Sequence, residues 1–187
     1  MFMFRYYILP FIWGYAEATF FFIIPDVILG YNAIEDYKKA MAGCLLAVVG
    51  ALSGAITLYF LAGLAPENTL KALEVVPAIS AEMISTVDGQ IDDKGLWALF
   101  IGPLMAIPYK LYVVQAALNQ IDIVVFLAIS IPARLLRFIL TASITRVLFT
   151  FFKNRVLKEK LDRRTTKVFY FGFWIIFYTA FFIAMPS

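Results

Sequence analysis

Gly102-Pro103-Leu104-Met105-Ala106-Ile107-Pro108-Tyr109-Lys110 is the stretch that decides how this chain must be read. It lies within an apolar segment, residues 96–118, that is otherwise long enough to cross a bilayer. Two prolines and a glycine interrupt it, and a lysine follows the second proline. Proline removes a backbone donor and clashes with the preceding helical turn. In lipid, the freed backbone groups must find partners inside the protein. A buried ammonium is costly unless it is paired or lines a cavity. The stretch therefore predicts a broken, re-entrant segment at a functional site, with Pro103, Pro108 and Tyr109 at the break.

The composition sets the surroundings of that segment. The chain is 63% hydrophobic, with mean hydropathy +0.85, against about 45–50% apolar residues for a soluble domain. This predicts an integral membrane protein with one transmembrane domain over 1–187. Cys44 is the single cysteine, which excludes an intrachain disulfide and a cysteine metal cluster. There is no histidine, so histidine triads and histidine metal sites are excluded, and proton chemistry falls to carboxylates. No Gly-rich phosphate loop, zinc spacing or basic-aromatic pattern for nucleic acid is present, so neither cofactor nor metal is expected. Ala16-Glu17-Ala18 superficially resembles a signal-peptidase site, but the apolar run continues past it.

Working outward, residues 1–36 hold a second interrupted segment, broken by Glu17 and by Pro25-Asp26. Pro25 biases Ile24 out of the helix, and Asp26 suits a new helix start. A hairpin entering and leaving on one side fits this pattern, and Glu35, Asp36, Lys38 and Lys39 mark a return to water. Residues 40–64 read as a clean spanning helix, in which Gly50 and Gly54 form a small-xxx-small pair for close helix packing. Residues 65–95 carry six acids against two lysines and read as an interfacial stretch with one short amphipathic helix opened by Pro66. Residues 121–152 form a long helix with Pro132 inside it. Arg134 and Arg137, three apart, share a face. Residues 153–167 are a basic loop, and 168–185 an aromatic-rich span.

The positive-inside rule puts the basic loop 153–167 and the N-terminus in the cytoplasm, with the C-terminus outside. The expected fold is thus an all-α integral membrane protein: three spanning helices, two opposed re-entrant hairpins (1–36 and 96–118) and one short amphipathic helix. Five full spans is the competing topology, and it would put the acidic and basic stretches on one side.

Five ionisable residues fall within apolar segments: Glu17, Asp26, Lys110, Arg134 and Arg137. Structural ion pairing is the plain explanation for any one of them. Five together, beside helix-breaking prolines in opposed halves, point to a transport site near the midplane. The surplus of positive charge suits an anionic group such as a lipid phosphate, bound by Lys110, Arg134 and Arg137. Glu17 and Asp26 are the candidates for a coupling proton, because burial disfavours a charged carboxyl.

Four stretches in order resemble the DedA family, the SNARE-associated or VTT-domain group, and its small YqaA-like branch. They are Glu17 with Ile24-Pro25-Asp26-Val27-Ile28-Leu29; Gly50-Ala51-x2-Gly54-x4-Tyr59-x3-Gly63; Ile107-Pro108-Tyr109-Lys110 followed by Ala116-Ala117; and Arg134-x2-Arg137-Phe138. The resemblance implies two inward-facing re-entrant hairpins and movement of lipids linked to the proton-motive force. In such proteins the cargo is a polyprenyl phosphate in the bacterial inner membrane, or a phospholipid. It matches Glu17 and Asp26 to the family's acidic positions and sets Lys110 near an arginine that follows the hairpin proline. The first hairpin lacks the usual second proline and its following Glu. No arginine precedes Pro108 where the family commonly has one, and Pro132-Ala133 stands where a Gly is often found.

The leading expectation is a proton-coupled secondary transporter or flippase for an anionic lipid, with lipid and protons as partners, homo-oligomerisation open and no nucleic acid bound. A small-ion or proton-coupled antiporter and a non-transporting assembly factor are the alternatives. An enzyme is not expected. Tyr109, Ser130 and Thr141 offer hydroxyls with no base beyond the two carboxylates.

Overall fold

The computed structural model describes residues 3–77, 79–105, 107–155 and 163–184. Among the described residues every regular element is helical. A single π-turn (Phe4–Ile8) leads into α1 (Leu9–Ala18), which is followed by α2 (Asp26–Glu35) and α3 (Tyr37–Leu64). Next come α4 (Pro66–Glu74), α5 (Ala81–Lys94), the single turn α6 (Ala98–Ile101), α7 (Tyr109–Leu118), α8 (Ile123–Arg155) and α9 (Arg163–Ala184). Three of these, α3, α8 and α9, are long and apolar enough to cross a membrane.

The helix boundaries follow from local chemistry. Asp36 caps α3 by accepting from the Lys39 amide at 3.2 Å. Asp122 caps α8 by accepting from the amides of Val124 and Val125 at 2.8 and 3.1 Å. Pro66 occupies the first turn of α4, where its missing donor costs nothing. The 65–95 stretch carries two amphipathic helices rather than the single one expected. Pro77 lies in the turn after α4, and Ser80 starts α5 by accepting from the Met83 amide. α8 passes through Pro132 and continues to Arg155, and α9 begins at Arg163. Both helices thus extend into the expected basic loop, whose remainder, 156–162, lies outside the described residues.

Packing inverts the usual expectation that long helices form the core. Every residue of α2 from Asp26 to Ile34 is buried, as is every residue of α7 from Tyr109 to Ala117. These two short helices fill the centre. α3 and α8 flank them, while only 11% of the α9 apolar window is buried against 44% for α3, so α9 is peripheral. The α1–α3 contact is made by small residues. A Cβ added to Gly50 would sit 2.0 Å from the Phe11 carbonyl oxygen, and one on Gly54 would sit 2.6 Å from that of Tyr15. Gly14 on α1 returns the approach, lying equally close to the Ala47 carbonyl of α3. This draws α1 against α3 backbone to backbone and fixes where Glu17 points.

Candidate functional site

Two chain breaks define the site. α1 stops at Ala18, and the chain does not resume a helix until Asp26. The freed backbone groups of this break are satisfied by side chains from three different helices. The Trp13 indole of α1 donates to the Ile23 carbonyl at 2.9 Å. The Lys110 ammonium of α7 donates to the Phe21 carbonyl at 2.7 Å. The Ile24 amide donates to the Tyr178 hydroxyl of α9 at 3.1 Å. Non-helical backbone away from water needs partners of this kind.

The second break precedes α7. Gly102 to Met105 form a 3₁₀ turn containing Pro103, and the Ile107 amide returns to the Gly102 carbonyl at 3.0 Å. Gly102 faces the Tyr112 ring so closely that an added Cβ would lie 2.5 Å from it. Pro108, in extended conformation, precedes the first residue of α7, Tyr109. The Tyr109 hydroxyl donates to Ser130 of α8 at 2.9 Å.

The four ionisable residues Glu17, Asp26, Arg134 and Arg137 of α1, α2 and α8 pair one to one. Arg134 binds Glu17, and Arg137 binds Asp26 with Nη2 to Oδ2 at 3.0 Å. The two pairs differ in setting. Side-chain exposure is 3% and 4% in the first, whereas Arg137 in the second is 20% exposed over an Asp26 at 2%. Arg134 is also covered by the Tyr109 and Phe138 rings, 4.5 and 4.7 Å from its guanidinium carbon, which holds the cation in an aromatic sandwich. Asp26 Oδ1 is buried without a hydrogen-bond partner.

The breaks converge on one cavity of about 240 Å³. Its wall carries Glu17, Phe21 and Ile24 from the first break, Ile107, Pro108 and Lys110 from the second, and Arg137 from α8. Val76, Pro77 and Ile79 with Phe177, Tyr178 and Phe181 of α9 close it. Two of the three expected cations, Lys110 and Arg137, thus share a cavity with Glu17. Arg134 lies behind them, and Asp26 reaches the cavity only through Arg137. No family model, curated protein or solved structure matches the chain. The functional reading therefore rests on this geometry.

A third ionic contact was not legible as such. Arg5 binds Glu35 at the far end of α2, where the half-buried Glu35 side chain is 13% exposed. Arg146 of α8 donates to the carbonyls of Ala33 and Ile34, closing the α2 C-terminus. With Arg137–Asp26 at the N-terminus of α2, Arg146 holds α2 alongside α8 at both ends. Arg5 stands alone in an apolar run, and Arg146 occupies a third α8 position, nine residues from Arg137. Its signal was the α8 charge spacing, whose span at 1.5 Å per residue matches the length of α2.

Proposed function

We propose that the protein is a proton-coupled secondary transporter, or flippase, for an anionic lipid such as a polyprenyl phosphate or a phospholipid. The observation that carries this reading is the shared cavity, with Lys110, Arg137 and Glu17 on a wall that is otherwise apolar. A site for a free, hydrated ion would need a polar wall. An amphiphile needs charge at one end and hydrocarbon around it. In this reading the two interrupted segments are re-entrant hairpins from opposite faces. α3, α8 and α9 span the membrane, with the N-terminus and the 153–167 region cytoplasmic, as in the DedA-like proteins of the bacterial inner membrane that the motifs resemble.

The two ion pairs then take different tasks. Glu17–Arg134, the less exposed pair, holds α1 to α8 with Arg134 set behind the cavity wall. Asp26–Arg137 is the exchangeable pair. An incoming phosphate takes charge-assisted hydrogen bonds from Arg137 and Lys110. Asp26 is left buried without its counter-charge, and an unpartnered buried carboxylate neutralises by taking a proton. Headgroup binding and proton uptake are linked through one guanidinium, and reciprocity makes the proton gradient a driving force for lipid movement.

In proteoliposomes carrying a fluorescent phosphorylated lipid, Asp26→Asn leaves lipid movement that no longer responds to an imposed pH gradient. A variant that keeps the wild-type gradient response would remove Asp26 from the coupling role.

A further inference from the structure

A second cavity lies against the first. It is a groove of about 480 Å³ between the first break and α9, walled by Trp13, Ile23, Val27, Trp174, Ile175 and Thr179 among others. Phe22 and Tyr178 belong to both cavities and form the partition. Their rings meet edge to face at 6.3 Å, and Phe22 also contacts Phe182 at 5.3 Å. The two compartments differ in chemistry. The first carries the charge-bearing side chains of Glu17, Lys110 and Arg137. The second carries no such group and holds only hydroxyl and indole groups among hydrocarbon. The indole of Trp13 is already committed to the Ile23 carbonyl, and the Thr179 hydroxyl donates to Ile175 of its own helix. Ile175 is 67% exposed, so the groove opens on the outer face of the molecule.

We propose that this groove is the subsite for the hydrocarbon chain of the lipid whose anionic headgroup enters the first cavity, and that α9 is the side on which the lipid enters from the bilayer. The proposal rests on the headgroup reading above. Three observations direct it. The groove is continuous with the charged cavity through one aromatic partition. Its Trp13 and Thr179 groups are internally satisfied, and with the Trp174 indole as its unpartnered donor it offers no charge to an ionic ligand. The helix that forms its outer wall is the least buried of the three long ones and is tied to the break by the Tyr178–Ile24 hydrogen bond. A second backbone tie, Tyr170 donating to the Val27 carbonyl at 2.9 Å, holds the N-terminal half of α9 in place. Parting the Phe22–Tyr178 partition costs that single hydrogen bond at Ile24, and it joins the two compartments into one amphiphile-shaped site. Bulk lipid wetting the groove is the plain rival. It differs in one respect, because bulk lipid does not depend on the headgroup anchor.

The test uses the full chain in phosphatidylcholine vesicles containing a trace of phosphatidic acid with a diazirine at mid-chain. Crosslinks are mapped by mass spectrometry. Groove residues Val27, Ile175 and Thr179 are labelled more than the lipid-facing residues Val124 and Leu148. Arg137→Ala lowers groove labelling about tenfold, the factor expected when a charge-assisted hydrogen bond is lost, and leaves Val124 and Leu148 unchanged. Thr179→Trp, which fills the groove from an exposed position on α9, slows transport of the long-chain lipid. Labelling spread evenly over all exposed apolar faces, or groove labelling indifferent to Arg137→Ala while Arg137→Ala still stops transport, overturns the groove assignment and leaves the headgroup site standing. Unchanged transport in both Arg137→Ala and Thr179→Trp overturns the headgroup reading and the groove with it.

Discussion

Arg134 and Arg137 stand one turn apart on the same helix, each bound to a carboxylate from the first broken segment, yet their surroundings separate them. In the Arg134–Glu17 pair the guanidinium lies against two aromatic rings and exposure is almost nil. Arg137–Asp26 opens its cationic end into a cavity that Lys110 shares. The same chemistry thus serves two ends. A pair whose cation is shut away from the cavity acts as a strut, and one whose cation faces it can exchange partners. The desolvation cost of the less exposed pair is offset only while both partners remain.

The comparison can be broken most forcefully at the strut. Arg134→Ala leaves Glu17 buried without a counter-charge and should cost about 3–5 kcal/mol in detergent-unfolding experiments. The double replacement Glu17→Leu with Arg134→Met should recover most of that loss, since apolar isosteres often equal a buried pair. If the double variant is as unstable as the single one, the pair is not a simple strut. Gly50→Ala comes next. Its Cβ meets the Phe11 carbonyl, so α1 must move off α3 and carry Glu17 with it, at a cost of about 1–3 kcal/mol by thermal unfolding. Tyr178→Phe removes the partner of the Ile24 amide and should cost about 1 kcal/mol, with easier opening of the cavity seen as faster hydrogen exchange at Ile24.

The smallest effect is at the α3 cap, far from either pair. The Lys39 side chain and amide hold the Asp36 carboxyl below its ordinary range. A carboxyl depressed by folding contributes stability above its unfolded value, about 3.9, and loses it as pH falls through the lower folded value. The melting temperature should therefore drop slightly more below pH 4 in the wild type than in Asp36→Asn. Equal slopes would show that the cap carries no charge-dependent stability.

Much of this arrangement was legible in the chain. Hydropathy located α3, α8 and α9, and Pro25, Pro103 and Pro108 located the breaks, because both signals are local. The small face of α3 was visible at Gly50 and Gly54, but its partner Gly14 was not, since a lone glycine in an apolar run has many explanations. Periodicity put Arg134 and Arg137 on one face but could not say which carboxylate each meets, over sequence separations of 117 and 111 residues. Nor could it foresee that one arginine would be sealed and the other open. That depends on Tyr109 and Phe138 closing over Arg134, which is tertiary packing. The partners of the broken backbone, Trp13, Lys110 and Tyr178, come from three helices, and only Lys110 announced itself, by being a charge among apolar residues. The Arg5–Glu35 pairing was hidden because a carboxylate at the end of an apolar run looks like a boundary until Arg5 folds back onto it.

The central claim, that Arg137 is the exchangeable member of the two pairs, is tested most directly by lipid movement in proteoliposomes. Arg137→Ala should slow transfer of a phosphorylated lipid about tenfold or more, with no change for a zwitterionic lipid and a folded protein by thermal unfolding. Wild-type transfer of the phosphorylated lipid by a folded Arg137→Ala protein would contradict it.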